Sequence, residues 1–157
     1  MITQNKINEV YKITNDHWRL LLLADPSKHL VHEYLQAGKV FDVKKDNQPI
    51  AIVVLKEISR VKLEIKNISV DPQFENQGIA TRLLHFAIQY AKNHQYQQLQ
   101  IGTGSTSFKQ LYLYQKIGFR ITDIWQDFFI NNYDHPIYEN HLLLHDMLVL
   151  TMMVNIK

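Results

Sequence analysis

The hydrophobic positions between residues 61 and 93 change from the spacing of a strand to the spacing of a helix. Val61 to Val70 contains β-branched residues at 65, 68 and 70, and Pro72 then supplies no ladder donor. Beyond Gly78, apolar residues recur at helical spacing: Ile79, Leu83, Leu84, Ala87, Ile88 and Ala91. The pattern predicts a strand over 61–70, a glycine turn, and a long amphipathic helix over Gln77 to Asn93.

The remaining hydrophobic patterns predict a mixture of helices and strands. Two short helices are expected at 15–23 and 27–36, with Ser27 as an N-cap and Gly38 as a stop. A hairpin is expected from 40–45 and 50–57, turned by 46–49. Later segments predict a short strand at 99–101, a helix at 108–116 and strands at 119–130 and 143–154, with a polar stretch over 131–141 between the last two. This order predicts an α+β fold around a mixed sheet, in a single domain spanning 1–157.

The glycine turn is a candidate phosphate site. A helix N-terminus offers free N–H groups and the positive end of a dipole, and glycine lets a ligand approach closely. Backbone amides of Gln77, Gly78, Ile79 and Ala80 would be the donors, and Thr81 would add a hydroxyl. The alternative is an ordinary glycine in a strand-to-helix turn.

Two segments together resemble the Gcn5-related N-acetyltransferase (GNAT) family. Glu75 to Ala80 is similar to the family's motif A, Gln/Arg-x-x-Gly-x-Gly/Ala, and departs from it at Glu75. Leu113 to Phe119 is similar to its motif B, Tyr-x-Lys-x-Gly-Phe. The resemblance implies a mostly antiparallel mixed sheet flanked by helices, with acetyl-coenzyme A as cosubstrate. It also implies that Ile68 and Val70 offer main-chain groups to the pantetheine arm and the acetyl carbonyl.

Glu64 and Tyr114 are the candidate catalytic residues. An ammonium must lose a proton before it attacks a thioester, and Glu64 lies on the strand before the turn, where several family members carry a general base. Tyr114 matches the motif B tyrosine that protonates the departing thiolate. The alternatives are a solvent-facing strand glutamate paired with Lys62 or Lys66, and a packed aromatic side chain. Ser107 occupies the position where the family often has an asparagine that contacts the cofactor.

Composition narrows the class of protein further. The chain of 157 residues is 46% hydrophobic and 20% charged, with a net charge of +2 that gives no indication of nucleic-acid binding. It has no cysteine, and therefore no disulfide or thiolate nucleophile. The N-terminal sequence lacks the apolar core of a signal peptide, and no apolar run approaches the length of a membrane span, so a cytoplasmic protein is expected. His141 and His145 are four apart, as zinc ligands on a helix are, but they enter a probable strand, and His29 and His32 lack a third ligand. All eight histidines are therefore interpreted as surface or capping residues, and no metal is expected.

The prediction is an N-acetyltransferase whose amine acceptor attacks acetyl-coenzyme A directly in a ternary complex. Acidic and aromatic residues over Asp127 to Asp146 are a candidate site for a cationic amine. Small molecules and protein lysines both remain open as acceptors, and a homodimer is compatible with the sequence. Two alternatives belong to other classes: a non-catalytic coenzyme A or nucleotide sensor, and a dinucleotide-binding module built on Gly102 and Gly104.

Overall fold

The computed structural model describes residues 6–155, which form nine strands and five helices. The strands are β1 (Ile7–Val10), β2 (Lys39–Lys45), β3 (Gln48–Glu57), β4 (Lys62–Val70), β5 (Gln98–Gly104), β6 (Arg120–Trp125), β7 (Tyr138–Glu139), β8 (Leu142–Leu143) and β9 (Met147–Met153). The helices are α1 (Asn15–Ala24), α2 (Lys28–Leu35), α3 (Ile79–Asn93), α4 (Phe108–Ile117) and α5 (Phe128–Asn132). A single 3-10 turn, Pro72–Phe74, leads from β4 toward α3.

Seven strands form one sheet in the order β1-β2-β3-β4-β5-β9-β6. Only β4 and β5 pair in parallel, and the other pairs in this sheet are antiparallel. The predicted α+β class with a mixed, mostly antiparallel sheet is therefore confirmed.

Each face of the sheet buries an apolar core. The α3 stripe of Leu83, Leu84 and Ala87 is fully buried and packs with Ile65 and Leu99 in one cluster. On a second cluster, Leu20 and Leu21 of α1 and Val31 of α2 pack with residues of β2 and β3. Burial of these stripes on α3, α1 and α2 removes apolar surface from water, which is the dominant favourable term in folding.

Strands β4 and β5 pair over four residues and then separate. The parallel register runs only from Lys62–Gln98 to Ile65–Ile101. A bulge shifts the register of β4 against β3 between Ile65 and Asn67. The rest of β4 pairs only with β3, and the rest of β5 pairs only with β9. The two central strands therefore leave an opening between residues 66–70 and 102–104.

Several elements differ from the predicted ones. The hairpin turn is only Asp46-Asn47, both with positive φ, so β3 already begins at Gln48. Strand β1 was not predicted, because a four-residue edge strand carries little periodicity. The predicted strand at 119–130 ends at Trp125, since Asp127 adopts a left-handed conformation and starts α5. The predicted strand at 143–154 is divided, because β8 ends at Leu143 and β9 begins at Met147.

Candidate active site

The first of two neighbouring cavities, called here the cofactor cleft, lies between β4 and α4. It has a volume of about 320 Å³. Its walls are the end of β4 (residues 68–70), the following turn, the first residues of α3 and residues 109–114 of α4. The cleft thus extends from the opening between β4 and β5 to the N-terminus of α3.

Gly78 gives the N-terminus of α3 an open approach. It is the N-cap residue, has φ +79°, and no side chain caps the helix there. A Cβ at this position would meet nothing within 4 Å. The first N–H groups of an α-helix have no partner within the helix, so this end can bind an anion. Ala80 and Thr81 line the cleft beside it, and Ile79 does so while also anchoring α3 in the core.

Gln77 is exposed and does not line the cleft with its neighbours. Glu75, at the position that departs from motif A, does line it. The carboxylate of Glu75 is 3.6 Å from Nζ of Lys109, and both side chains are well exposed. The negative charge that Glu75 adds beside a phosphate site is therefore accompanied by a positive one.

Tyr114 lies on α4 where the two cavities meet. Its side chain is 4% exposed and packs edge-to-face against Phe119, with ring centroids 6.3 Å apart. Burial raises the pKa of the Tyr114 phenol above its ordinary value of 10, so the group keeps its proton at neutral pH. Within residues 6–155, no group forms a hydrogen bond with its hydroxyl. The phenol is therefore a proton donor without a structural partner.

The second cavity, of about 340 Å³, adjoins the cofactor cleft. The two share three residues: Ile68, Gln110 and Tyr114. The remaining walls of the second cavity come from residues 22–26, from the facing parts of β4 and β5, and from the segment 129–147. A molecule in this cavity can therefore reach the same point that a molecule in the cleft reaches.

Glu64 lies on β4 before the bulge and is 7% exposed. Its carboxylate accepts a hydrogen bond from Gln100 Nε2 at 2.6 Å and forms an ion pair with Lys66 Nζ at 2.9 Å. Glu64 lines neither cavity, whereas Lys66 lines the second one. The predicted base is therefore a buried, paired carboxylate rather than a solvent-facing strand residue.

Ser107 is the N-cap residue of α4 and lines the second cavity rather than the cofactor cleft. Its hydroxyl donates to Glu139 Oε2 at 2.6 Å instead of capping α4. Asn140 also reaches this region, because its Nδ2 donates to the carbonyl oxygen of Thr106 at 2.7 Å. These two bonds hold the β7–β8 hairpin against the N-terminus of α4.

Sequence reasoning missed a polar network on the opposite wall of the second cavity. Asp25 accepts hydrogen bonds from Tyr133 Oη at 2.8 Å, Tyr34 Oη at 3.3 Å and the backbone N–H of Ser27 at 3.1 Å. Asn67 Nδ2 donates to Tyr34 Oη at 2.9 Å. Burial raises the pKa of both phenols, with the Asp25 carboxylate as a further cause. In the sequence, Asp25-Pro26-Ser27 has only the signal of a helix cap, so nothing there indicated a cavity.

The segment Asp127 to Asp146 is only partly at this cavity. Four of its proposed recognition residues line the wall: Phe129, Tyr133, Tyr138 and Glu139. Asp127 and Asp146 are joined instead by a hydrogen bond from the Asp127 backbone N–H to Asp146 Oδ1 at 2.8 Å.

Gly102 and Gly104 do not form a phosphate loop. Both lie in β5, paired with β9. A Cβ at Gly102 would come within 2.5 Å of Met147 Sδ, and one at Gly104 within 2.5 Å of Leu144 Cδ1. Close packing against these side chains explains the two glycines, and the structure gives no support to a dinucleotide fingerprint.

The histidines have ordinary structural surroundings. His17 completes a capping box with Thr14, and its Nε2 lies 2.8 Å from Asp42 Oδ2 in the interior. Across residues 6–155, no three His, Asp or Glu side chains come together as a group that could hold a metal ion. The longest helix in this range, the 15-residue α3, falls short of what a membrane span requires.

Comparison with known proteins gives a consistent result. The model of the acetyltransferase (GNAT) family matches residues 7–119. An uncharacterized N-acetyltransferase of Bacillus subtilis, YvbK, is 41% identical over 140 residues, covering 88% of this chain and 90% of its own.

Two solved structures share the fold and contain a ligand. A GNAT family acetyltransferase from Elizabethkingia anophelis with acetyl-CoA bound has a TM-score of 0.92 and 47% identity, covering 96% of this chain and 99% of its own. A Bacillus subtilis acetyltransferase in complex with CoA has a TM-score of 0.91 and 36% identity, covering 97% of this chain and 100% of its own. The present chain therefore belongs to the acetyltransferase (GNAT) family and is an N-acetyltransferase that uses acetyl-coenzyme A as its cosubstrate.

Proposed function

We propose that the chain transfers the acetyl group of acetyl-coenzyme A, held in the cofactor cleft, directly to a primary amine held in the second cavity. The observation that carries this proposal is the meeting of the two cavities at Ile68, Gln110 and Tyr114. Two reactants bound side by side in one ternary complex need no covalent enzyme intermediate. The chain contains no cysteine, so an acetyl-cysteine intermediate is excluded.

Tyr114 is the proposed general acid. In the reaction, the neutral amine nitrogen bonds to the thioester carbon, the carbon–sulfur bond breaks, and the phenol proton passes to the departing thiolate. The proton that the nitrogen loses as the amide forms returns through water to the phenolate, which restores Tyr114. The position of Tyr114 at the junction supports this role. So does its protonation state, because a phenol keeps its proton at neutral pH and burial raises the pKa of Tyr114 further.

Glu64 is the proposed general base, which receives the proton lost by the ammonium. Because Glu64 lines neither cavity, the proton would travel through water past Lys66, whose Nζ is 2.9 Å from the Glu64 carboxylate. Lys66, through its ion pair, and Gln100, through a hydrogen bond of 2.6 Å, hold the Glu64 carboxylate in place.

For the cofactor, we propose that the backbone amides of Gln77, Gly78, Ile79 and Ala80 and the hydroxyl of Thr81 bind the pyrophosphate. The uncapped N-terminus of α3 supports this assignment. The backbone of Ile68 and Val70 would bind the pantetheine arm, since this part of β4 has a ladder partner on the β3 side only. Ser107 would contact the cofactor after releasing Glu139, to which it donates a hydrogen bond of 2.6 Å.

The proposed domain spans 1–157, of which the family model covers 7–119. The cytoplasmic location predicted from the sequence stays a prediction.

Initial-velocity kinetics test the proposed mechanism. Acetyl-coenzyme A and a primary amine are varied together, coenzyme A release is followed with a thiol reagent, and the acetylated amine is identified by mass spectrometry. A ternary complex predicts intersecting double-reciprocal lines and no acetylated enzyme. Parallel lines with an acetylated enzyme would overturn direct attack. Coenzyme A binding without turnover across an amine panel would instead favour the sensor alternative.

A further inference from the structure

The two acidic side chains of the second cavity have no ion-pair partner in the described chain. Asp25 and Glu139 are its two acidic residues, and Lys66 is its one basic residue. Lys66 is already paired with Glu64 at 2.9 Å. Neither Asp25 nor Glu139 forms an ion pair with a cation between residues 6 and 155. The cavity therefore attracts a ligand that carries positive charge.

The same cavity also contains acceptor atoms that lack donors. Asn67 is 4% exposed and lines the cavity, yet its Oδ1 accepts no hydrogen bond in the described structure. A buried amide oxygen without a donor costs free energy, so such an atom is expected to have a partner in the functional complex. Glu139 has only one hydrogen bond, from Ser107 to Oε2, so its second oxygen is also available.

These groups are connected and have aromatic neighbours. Asn67 donates to Tyr34, and Tyr34 donates to Asp25. The Asn67 side chain, whose oxygen lacks a donor, and the Asp25 carboxylate, which lacks an ion-pair partner, therefore belong to one hydrogen-bond network. Phe129, Tyr133 and Tyr138 add aromatic rings to the lining. Acceptor oxygens and aromatic faces together suit an ammonium group, which has only donors.

We infer that the acceptor is a small diamine or polyamine: one nitrogen is acetylated beside Tyr114, and a second stays protonated and is held among Asp25, Glu139 and Asn67. This inference rests on the proposed function. The reacting nitrogen must be neutral when it attacks, so it cannot balance the two carboxylates, and the compensating charge must come from another group of the same molecule. An amine that carries a carboxylate would meet like charge at this wall and be disfavoured.

The test compares three amines of similar length: 1,4-diaminobutane, n-butylamine and 4-aminobutanoate. Acetylation is followed by coenzyme A release with acetyl-coenzyme A at saturation. The diamine is expected to have a kcat/KM at least about tenfold above that of n-butylamine, as a hydrogen-bonded charge pair would give. The amino acid should be the poorest, and the preference should shrink as salt is raised, because salt screens partly exposed charges.

Asp25→Asn and Glu139→Gln test the two carboxylates separately. Each should reduce the ratio of kcat/KM between diamine and butylamine severalfold, because the charge is removed with little change in shape. Glu33→Gln is the matched control: it removes one negative charge from a carboxylate that is 70% exposed on α2, outside the cavity, and should keep the wild-type ratio. Thermal unfolding of each variant verifies that it is folded.

Calorimetric titration of the enzyme–coenzyme A complex with each amine, together with the rates, distinguishes a wrong acceptor class from a failure of the proposed function. The assigned acceptor is supported if the diamine binds and if both Asp25→Asn and Glu139→Gln weaken that binding. If butylamine or aminobutanoate is the better acceptor, or if both variants keep the wild-type ratio, the acceptor class is wrong and the transfer reaction stands. If coenzyme A binds and no amine is acetylated, the proposed function itself fails.

Discussion

Glycine at position 78 has two proposed advantages: it adopts a positive φ without strain, and it leaves space for a phosphate at the start of α3. The Gly78→Ala variant separates these two effects. The residue has φ +79°, and a Cβ there would meet no atom within 4 Å. The substitution therefore causes no clash in the free protein and costs only the left-handed backbone, about 1–2 kcal/mol for a residue with a Cβ. For a chain of this length, that corresponds to a melting temperature about 2–8 °C lower.

Binding of coenzyme A tests whether Gly78 leaves space for a phosphate. A ligand at about 100 times its Kd stabilises the folded state by about 2.7 kcal/mol, which the wild type should show as a rise of about 5–11 °C. In Gly78→Ala, the added methyl group occupies the space through which a phosphate reaches the amides of α3, so most of this rise should be lost. Differential scanning calorimetry with and without coenzyme A measures both effects, and isothermal titration gives the Kd directly.

Gly118→Ala is the control for backbone strain alone. Gly118 has φ +126° and lies at the C-terminal end of α4, outside both cavities. This variant should be destabilised as well, with a Cβ 3.3 Å from Met152 Cε, yet it should keep the full rise on adding coenzyme A. A Gly78→Ala protein with a lowered melting temperature and an undiminished rise would show that the phosphate does not bind at this turn. An unchanged melting temperature would refute the argument from φ.

Four further outcomes are expected. Tyr114→Phe should lower kcat about ten- to a hundredfold with coenzyme A affinity retained, as stopped-flow and titration would show; an unchanged chemical step would make Tyr114 a packing residue. Because the pKa of Tyr114 is raised, the folded state keeps a proton that the unfolded chain releases, so stability should be constant below the ordinary pKa of 10 and fall above it. Urea unfolding at pH 8–11 should show a smaller alkaline loss for Tyr114→Phe than for the wild type. Glu64→Gln should remove the acidic limb of the pH profile of kcat/KM, and an unaltered profile would exclude Glu64 as the base. Glu75→Gln should tighten coenzyme A binding about two- to fivefold at low salt, with less gain at high salt. The reason is that Lys109 would then face the phosphates without the carboxylate that lies 3.6 Å from it. Weaker binding would show that Glu75 orders the turn.

Local patterns were sufficient to predict the elements that build the cofactor cleft. The strand before Pro72, the left-handed glycine and the amphipathic α3 all have strong signals within a few residues, and the structure has each of them. The predicted strand over 119–130 is confirmed for Arg120–Trp125 and is wrong beyond Trp125, where the local pattern was misleading. Its β-branched and aromatic residues favour a strand throughout, and only the left-handed conformation of Asp127, held by Asp146 from a distant segment, ends it.

The second cavity depends on contacts between residues far apart in the sequence, which periodicity does not encode. Asp25 and Tyr133 are 108 positions apart, and Asn67 and Tyr34 are 33 apart. Ser107 shows a related limit: it lies seven residues before Tyr114, where the family often has an asparagine that contacts the cofactor, whereas its hydroxyl in the structure donates to Glu139. The role of Glu64 was predicted from position alone; pairing with Lys66 was one alternative, but the burial of Glu64 and its hydrogen bond from Gln100 on β5 became visible only in the folded chain.

The division of the two cavities along the chain has a consequence for how such enzymes diverge. Every residue lining the cofactor cleft lies within 68–114, inside the region that the family model matches. Much of the facing wall of the second cavity comes from residues 129–147, beyond that region. If the second cavity holds the acceptor as proposed, substitutions in this later segment would exchange one acceptor for another without changing the residues that line the cofactor cleft. Gene duplicates would then acquire new substrates through changes confined to about twenty residues, and a mutant library limited to 129–147 would explore the same path in the laboratory.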